Sequence, residues 1–226
     1  RGVRRTPFHA QLAQQGAVFG ELAGWERANW FADKNEDAKY AYSWKRQNWF
    51  ENAAREHHAI RNDVGMYDMS SFGKIRVEGR DCEAFLNYVC GADMTVPTGK
   101  IVYTQFLNRH GGIEADVTVT RLSESAYLGV TPAATRQADE IWLRRHLGKY
   151  NVVITDVTSG EGVLAVMGPR AREVMRAVSP NNFDNHANPF GTMQHIEIGM
   201  GLARVHRVSF VGELGWEVYV SSDMAG

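Results

Sequence analysis

The sequence predicts an α+β fold in which mostly antiparallel sheets pack against helices. Strand-like and helix-like segments alternate irregularly along the 226 residues, and several strand-like segments follow one another directly. One such pair, residues 101–108 and 113–122, flanks Gly111 and Gly112, which is a strong signal of a β-hairpin. Neighbouring strands of this kind favour antiparallel pairing over the regular strand–helix alternation of a doubly wound parallel sheet.

Five segments are predicted as helices. Residues 6–16 have Thr6 as a candidate N-cap, Pro7 at the first helical position and Gly16 as the stop. The later segments carry apolar residues at helical spacing or begin at a proline. These later helices are residues 48–63, 81–90, 132–146 and 169–178.

Strands are predicted where β-branched and aromatic residues cluster between turn residues. The predicted strands are residues 65–68, 73–77, 101–108, 113–122, 127–131, 152–157, 162–167, 202–208 and 216–220. Residues 17–31 have no clean period and combine glycines with Trp25 and Trp30, so a structured loop is expected there.

Charge and hydropathy exclude several functions. Lys and Arg number 25 against 26 Asp and Glu, so the chain lacks the basic excess of a general nucleic-acid binder. No apolar run approaches the roughly 20 residues that span a bilayer. No glycine-rich strand–turn–helix motif for a dinucleotide is present, so any flavin or nicotinamide domain is expected outside this chain.

Two carboxylates on predicted strands are candidates for a functional site. Alternation along residues 113–122 puts Asp116 on a polar face, where it is either solvent-exposed or a carboxylate aimed into a cavity. Glu217 follows Trp216 after a glycine-bracketed turn. A carboxylate beside aromatics suits a planar, amino-bearing heterocycle, whereas a surface glutamate on an edge strand is the alternative.

Five ordered segments together resemble the folate-binding aminomethyltransferase family of the glycine cleavage T-protein. They are residues 5–9 with 23–25, then 61–70, 108–119, 164–169 and 212–218. Within that family, residues 19–31 and 42–44 are similar to the folate domain of dimethylglycine and sarcosine dehydrogenases. The resemblance therefore implies tetrahydrofolate as the cofactor and an FAD-dependent domain elsewhere in the full-length chain. That flavin domain would oxidise an N-methyl amine, and the methyl carbon would be captured as 5,10-methylenetetrahydrofolate.

The resemblance also assigns roles to individual residues. Asp116 matches the family's aspartate beside the folate nitrogens, where it would orient the nucleophilic nitrogen and steady developing positive charge. Glu217 matches the glutamate that holds the amino edge of the pterin. Tyr103 lies in a strand that lines the pterin pocket, and the segment 127–131, ending at Thr131, matches another wall of it. No metal site is implied.

The family fold is a cloverleaf of two interleaved α+β units followed by a β-barrel. We expect residues 1–50 in the first folate-binding unit, 51–150 in a ferredoxin-like middle unit, and 151–226 in a return to the first unit. The barrel is expected to be missing, so the chain by itself is expected to bind folate weakly or not at all. Neither nucleic acid nor membrane is expected as a partner, and the expected compartment is the bacterial cytoplasm or the mitochondrial matrix.

Two alternatives remain open from the sequence. One is a stand-alone T-protein of the glycine cleavage system, against which the 19–31 segment and Ala115, in place of a second acid beside Asp116, argue mildly. The other is a non-catalytic folate-binding relative, which the retained Asp116 disfavours.

Overall fold

The computed structural model describes residues 2–226, and this range contains five α-helices and thirteen β-strands. The helices are α1 His9–Gln14, α2 Phe50–Asn62, α3 Cys82–Val89, α4 Arg136–His146 and α5 Ala171–Val178. The strands are β1 Arg4–Arg5, β2 Ala17–Leu22, β3 Trp25–Phe31, β4 Gly65–Asp68, β5 Gly73–Glu78, β6 Ile101–Leu107, β7 Ile113–Ser123, β8 Ala126–Thr131, β9 Val153–Asp156, β10 Glu161–Met167, β11 Met193–Ile198, β12 Gly201–His206 and β13 Gly215–Ser221.

The strands form three sheets, and every pairing except that of β1 with β3 is antiparallel. A small N-terminal sheet has the order β1-β3-β2. The Asp116 sheet has the order β6-β7-β8-β5-β9, and the Glu217 sheet has the order β11-β12-β13-β10-β4. The predicted α+β class with mostly antiparallel sheets is therefore confirmed, and residues 2–226 contain no closed barrel.

The two five-stranded sheets stack face to face, with helices on the two outer faces. Phe85 of α3 and Leu143 of α4 pack against the outer face of the Asp116 sheet, and Met175 of α5 packs against that of the Glu217 sheet. A third apolar cluster joins the two inner faces. Its buried members are Met69, Leu128, Val163, Ala165, Met167 and Tyr219. Side chains that point inward from either sheet therefore share one inter-sheet space.

The predicted helices and strands from residue 48 onward are present, with ends shifted by a few residues. The N-terminal expectations need correction. Residues 17–31 form the β2–β3 hairpin rather than a loop, and its turn uses Ala23 and Gly24 at positive φ. The hydroxyl of Thr6 donates to Asp68 Oδ2 at 2.5 Å and does not cap α1. Strand β11 was not predicted, because Ile196 is its only fully buried residue.

The Asp116 sheet is built from one continuous stretch, whereas the Glu217 sheet uses β4 before that stretch and β10 to β13 after it. The division of the chain at residues 50 and 150 stays a prediction. None of the helices in residues 2–226 has the length and apolar character that a bilayer crossing demands.

Candidate functional site

Asp116 lies on the inner face of its sheet, held by two side chains of the neighbouring strand. The hydroxyl of Tyr103 donates to Asp116 Oδ2 at 2.7 Å, and the amide of Gln105 donates to Oδ1 at 3.0 Å. Gln105 is the direct cross-strand partner of Asp116, and Tyr103 sits one pair further along the same face. The hydrogen bond to the carboxylate raises the pKa of Tyr103. All three side chains are at least partly exposed, so an incoming ligand can reach this carboxylate.

This inner face continues from Tyr103 across the sheet towards its centre. Paired residues in consecutive strands form the row Tyr103, Thr118, Val130 and Lys74. Lys74 is fully buried, and its Nζ donates to the carbonyl oxygens of Ser70 at 2.8 Å and Phe72 at 3.2 Å. Burial lowers the pKa of Lys74 to about 8.

Glu217 projects from the opposite sheet into the same inter-sheet space. It is 9% exposed, and the hydroxyl of Tyr219 donates to its Oε2 at 2.7 Å. Burial raises the pKa of Glu217, while the hydrogen bond from Tyr219 and the charge of Lys74 oppose that shift. His206, its cross-strand partner, is also buried, and desolvation together with the charge of Arg204 lowers the pKa of that imidazole well below its usual value.

A small cavity lies where Glu217 and Lys74 face each other. Its volume is about 10 Å³, room for one water at most. It is lined by Met69, Phe72, Lys74, Val130, Val163, Glu217 and Tyr219. An acceptor from one sheet and a cationic donor from the other therefore line the same largely apolar cavity, where electrostatic interactions are strong.

Thr131 differs in position from the other three predicted site residues. Its side chain is buried, and its hydroxyl hydrogen-bonds to the Asp139 carboxylate. The Thr131 and Thr135 Oγ1 atoms are 3.4 Å apart. Alternation along β8 puts Val130 on the inner face and Thr131 on the face towards α4. Tyr103 and Asp116 thus lie on an exposed part of the inner face of their sheet, Glu217 is buried between the sheets, and the Thr131 side chain faces α4.

Sequence reasoning missed Lys74 and Gln105. Alternation along β5 puts Lys74 on a polar face, a pattern that is normally read as a solvent-exposed lysine. Its burial comes from the other sheet, which periodicity within β5 cannot reveal. Gln105 could not be placed from the hairpin alone, because the β6–β7 register shifts between Phe106 and Leu107, and only this irregularity brings Gln105 rather than Thr104 opposite Asp116.

Each of the two stacked antiparallel sheets thus carries one of the two predicted site carboxylates, Asp116 or Glu217, on its inner face. The model of the family "GCVT N-terminal domain" matches residues 8–226, and the chain belongs to this family.

Among curated proteins, the chain is 44% identical over 225 residues to 4-methylaminobutanoate oxidase (formaldehyde-forming) of Paenarthrobacter nicotinovorans. It is 31% identical over 261 residues to the mitochondrial sarcosine dehydrogenase of Homo sapiens. These matches cover 100% and 97% of this chain but only 27% and 28% of the relatives. The chain therefore spans about a quarter of the length of these curated relatives.

Solved structures support the fold. The glycine cleavage system aminomethyltransferase T from Bartonella henselae matches 99% of this chain and 55% of its own, with a TM-score of 0.78 and 24% identity. The heterotetrameric sarcosine oxidase from Corynebacterium sp. U-96, in complex with pyrrole 2-carboxylate, matches 80% of this chain and 89% of its own, with a TM-score of 0.58 and 16% identity. At these identities the likeness concerns the fold alone.

Proposed function

We propose that this chain binds tetrahydrofolate and serves one-carbon transfer in a flavin-dependent dehydrogenase of the dimethylglycine or sarcosine type. The observation that carries the proposal is the exposed Asp116 carboxylate, fixed by Tyr103 and Gln105 on the face that leads to buried Glu217. Relatives named as an oxidase and a dehydrogenase support this over a stand-alone T-protein. The methyl donor, the FAD-bearing partner domain and the compartment, mitochondrial matrix or bacterial cytoplasm, belong to the same proposal.

The polar groups of the inner face fit a pteridine edge, which presents donors and acceptors side by side. Tyr67, Ala165 and Glu217 form one row across their sheet. The Tyr67 hydroxyl is buried without a hydrogen-bond partner in the described part of the chain, and Glu217 accepts a hydrogen bond only from Tyr219 there. Ala165, which lies between them, has only a methyl side chain and so leaves room for a ring edge. Such an edge could form hydrogen bonds with the Tyr67 hydroxyl and the Glu217 carboxylate, which are otherwise costly to bury.

The cavity beside Glu217 is far smaller than a bicyclic ring, so binding must displace side chains that close it. Phe72 lines the cavity and contacts Phe210 edge to face, with ring centroids 6.0 Å apart. Phe210 is 67% exposed in the segment between β12 and β13. The proposed entry path of the ring lies at Phe72 and Phe210, because connecting segments are the more mobile parts of a fold.

Bound tetrahydrofolate would supply a nucleophilic nitrogen that accepts the one-carbon unit, giving 5,10-methylenetetrahydrofolate. Asp116 would orient the N–H of that nitrogen and stabilise positive charge that develops during transfer. Tyr103 and Gln105 hold the carboxylate in place, so little reorganisation is needed at that moment. Glu217 would anchor the amino edge of the ring through charge-assisted hydrogen bonds.

Asp116→Asn in the natural full-length protein tests the assignment. We expect transfer to tetrahydrofolate to fall by about 100-fold while folate affinity changes little, because one charge is lost at the reacting atoms. The measurement is the yield of methylenetetrahydrofolate per methyl group oxidised, alongside folate binding by calorimetry. Glu114→Gln, on the same exposed face of β7, is the matched control. An unchanged yield in Asp116→Asn with folate still bound would refute the role of Asp116.

A further inference from the structure

Lys74 is a fully buried cation that no carboxylate neutralises directly. Its two hydrogen bonds go to the backbone carbonyl oxygens of Ser70 and Phe72, which are uncharged. In residues 2–226, no Asp or Glu oxygen lies within 4.0 Å of its Nζ. An ammonium group has three N–H donors, so one donor is left over in that part of the chain.

A lysine in this environment lowers the stability of the fold. Burying a charge that contacts no ion partner is costly, and burial lowers the pKa of Lys74 to about 8 although the more distant charges of Glu161, Asp68 and Asp156 oppose the shift. A methionine of similar length would fill the same space without it. The lysine therefore needs a reason other than packing, and the cavity that it lines is the place to look.

Two charged side chains line that cavity, and their hydrogen-bonding capacities are opposite. Glu217, when ionised, can only accept hydrogen bonds, and Lys74 can only donate them. The remaining lining is apolar apart from the Tyr219 hydroxyl, which is directed to Glu217. A ligand edge that satisfies both charges must present N–H groups next to an acceptor oxygen.

A 4-oxo pteridine has such an edge, with an amino N–H and a ring N–H beside the carbonyl oxygen at position 4. A 4-amino pteridine presents an N–H donor in place of that oxygen and would face Lys74 donor to donor, and its N3 carries no hydrogen, so Glu217 loses one donor as well. We propose that Lys74 recognises the 4-oxo group while Glu217 accepts from the adjacent N–H groups, so that Lys74 determines specificity for 4-oxo against 4-amino pteridines. This inference rests on the proposed binding of folate.

The test compares tetrahydrofolate with tetrahydroaminopterin, whose rings differ in the substituent at position 4 and in the hydrogen on N3. Binding of each is measured by anaerobic calorimetry to the natural full-length protein and to its Lys74→Met variant. We expect the unaltered protein to prefer the 4-oxo compound by about 10- to 100-fold, since a site built to hydrogen-bond one group rejects an analogue that leaves it unpaired. In Lys74→Met the ratio should fall by about 3- to 10-fold, mainly through weaker binding of tetrahydrofolate, because the contribution of the N3 hydrogen to the contact with Glu217 is present in both proteins.

Two further variants keep the result interpretable. Lys74→Gln retains an uncharged hydrogen-bond donor and should keep part of the preference for the 4-oxo compound. This variant also tests the role of Lys74 if Lys74→Met does not fold. Lys39→Met removes a largely exposed lysine and should leave both affinities unchanged. Thermal unfolding of each variant reports folding independently of binding.

The outcomes separate this inference from the proposed function. If Lys74→Met and Lys74→Gln bind both compounds with the unaltered ratio, the role of Lys74 is overturned while folate binding stands. A preference of the unaltered protein for the 4-amino compound overturns it equally. If the unaltered protein binds neither compound, the proposed function itself fails, and this inference fails with it.

Discussion

The buried Lys74 makes a specific prediction about how stability depends on pH. In the unfolded chain this lysine has its ordinary pKa of 10.5, whereas burial lowers the pKa to about 8 in the folded protein. Between these values the unfolded state binds one proton more than the folded state, so the free energy of unfolding rises with pH. The difference of about 2.5 pH units, at about 1.4 kcal/mol per unit, corresponds to ~3 kcal/mol.

Lys74→Met removes this titration. Near pH 7 the titration of Lys74 should make the unaltered protein less stable than this variant by up to ~3 kcal/mol. The two hydrogen bonds from Lys74 to carbonyl oxygens, which the variant lacks, offset part of this difference. The unaltered protein should recover the difference as the pH rises from 8 to 10.5.

Urea unfolding of both proteins at several pH values measures the difference, in which the titration of groups that do not interact with Lys74 cancels. Lys39→Met, at an exposed lysine, should show no such trend. A difference between the unaltered protein and Lys74→Met that stays constant from pH 7 to 10.5 would refute the reasoning.

Two further substitutions test the hydrogen bond that holds Asp116 in place and the backbone conformation at the end of β10 in the Glu217 sheet. Tyr103→Phe removes one hydrogen-bond donor to Asp116, so single-turnover transfer should slow by about 3- to 10-fold while the urea midpoint stays unchanged. An unchanged rate would contradict the positioning role of Tyr103. Gly168→Ala should cost at least ~2 kcal/mol of unfolding free energy, because φ is +136° and an added Cβ would lie 2.4 Å from the carbonyl oxygen of Asp63. Gly160→Ala, where a Cβ meets nothing within 4 Å, should be nearly neutral, and equal urea midpoints for the two would count against the argument.

Local patterns were sufficient for much of the fold and for part of the site. Alternation along β7 correctly separated Asp116 from the buried Ala115 and Val117. Gly111 and Gly112 identified the β6–β7 hairpin, in which Tyr103 and Gln105 hydrogen-bond to Asp116. These features depend on neighbours that are close in sequence, and sequence periodicity reports such neighbours directly.

Features that depend on contacts between sheets could not be found in this way. The burial of Lys74 arises because the Glu217 sheet covers the inner face of β5, which looks polar in sequence. The position of Thr131 depends on a single step of alternation at the end of β8, where the resemblance indicated only a segment. The β2–β3 hairpin escaped prediction because glycines interrupt its alternation and its turn residue Ala23 is one that rarely adopts positive φ.

The interleaved order of the strands has a consequence for how the protein folds. The strands and helices of the Asp116 sheet come from one uninterrupted stretch, so their pairings close shorter loops. Pairing of β4 with β10 joins Asp68 to Leu164, about a hundred residues apart, so it closes a loop that contains the whole Asp116 sheet. Such distant pairing is slow. Glu217 and Lys74 can face each other only after this late step, so the ligand-recognition chemistry proposed here is acquired at the end of folding.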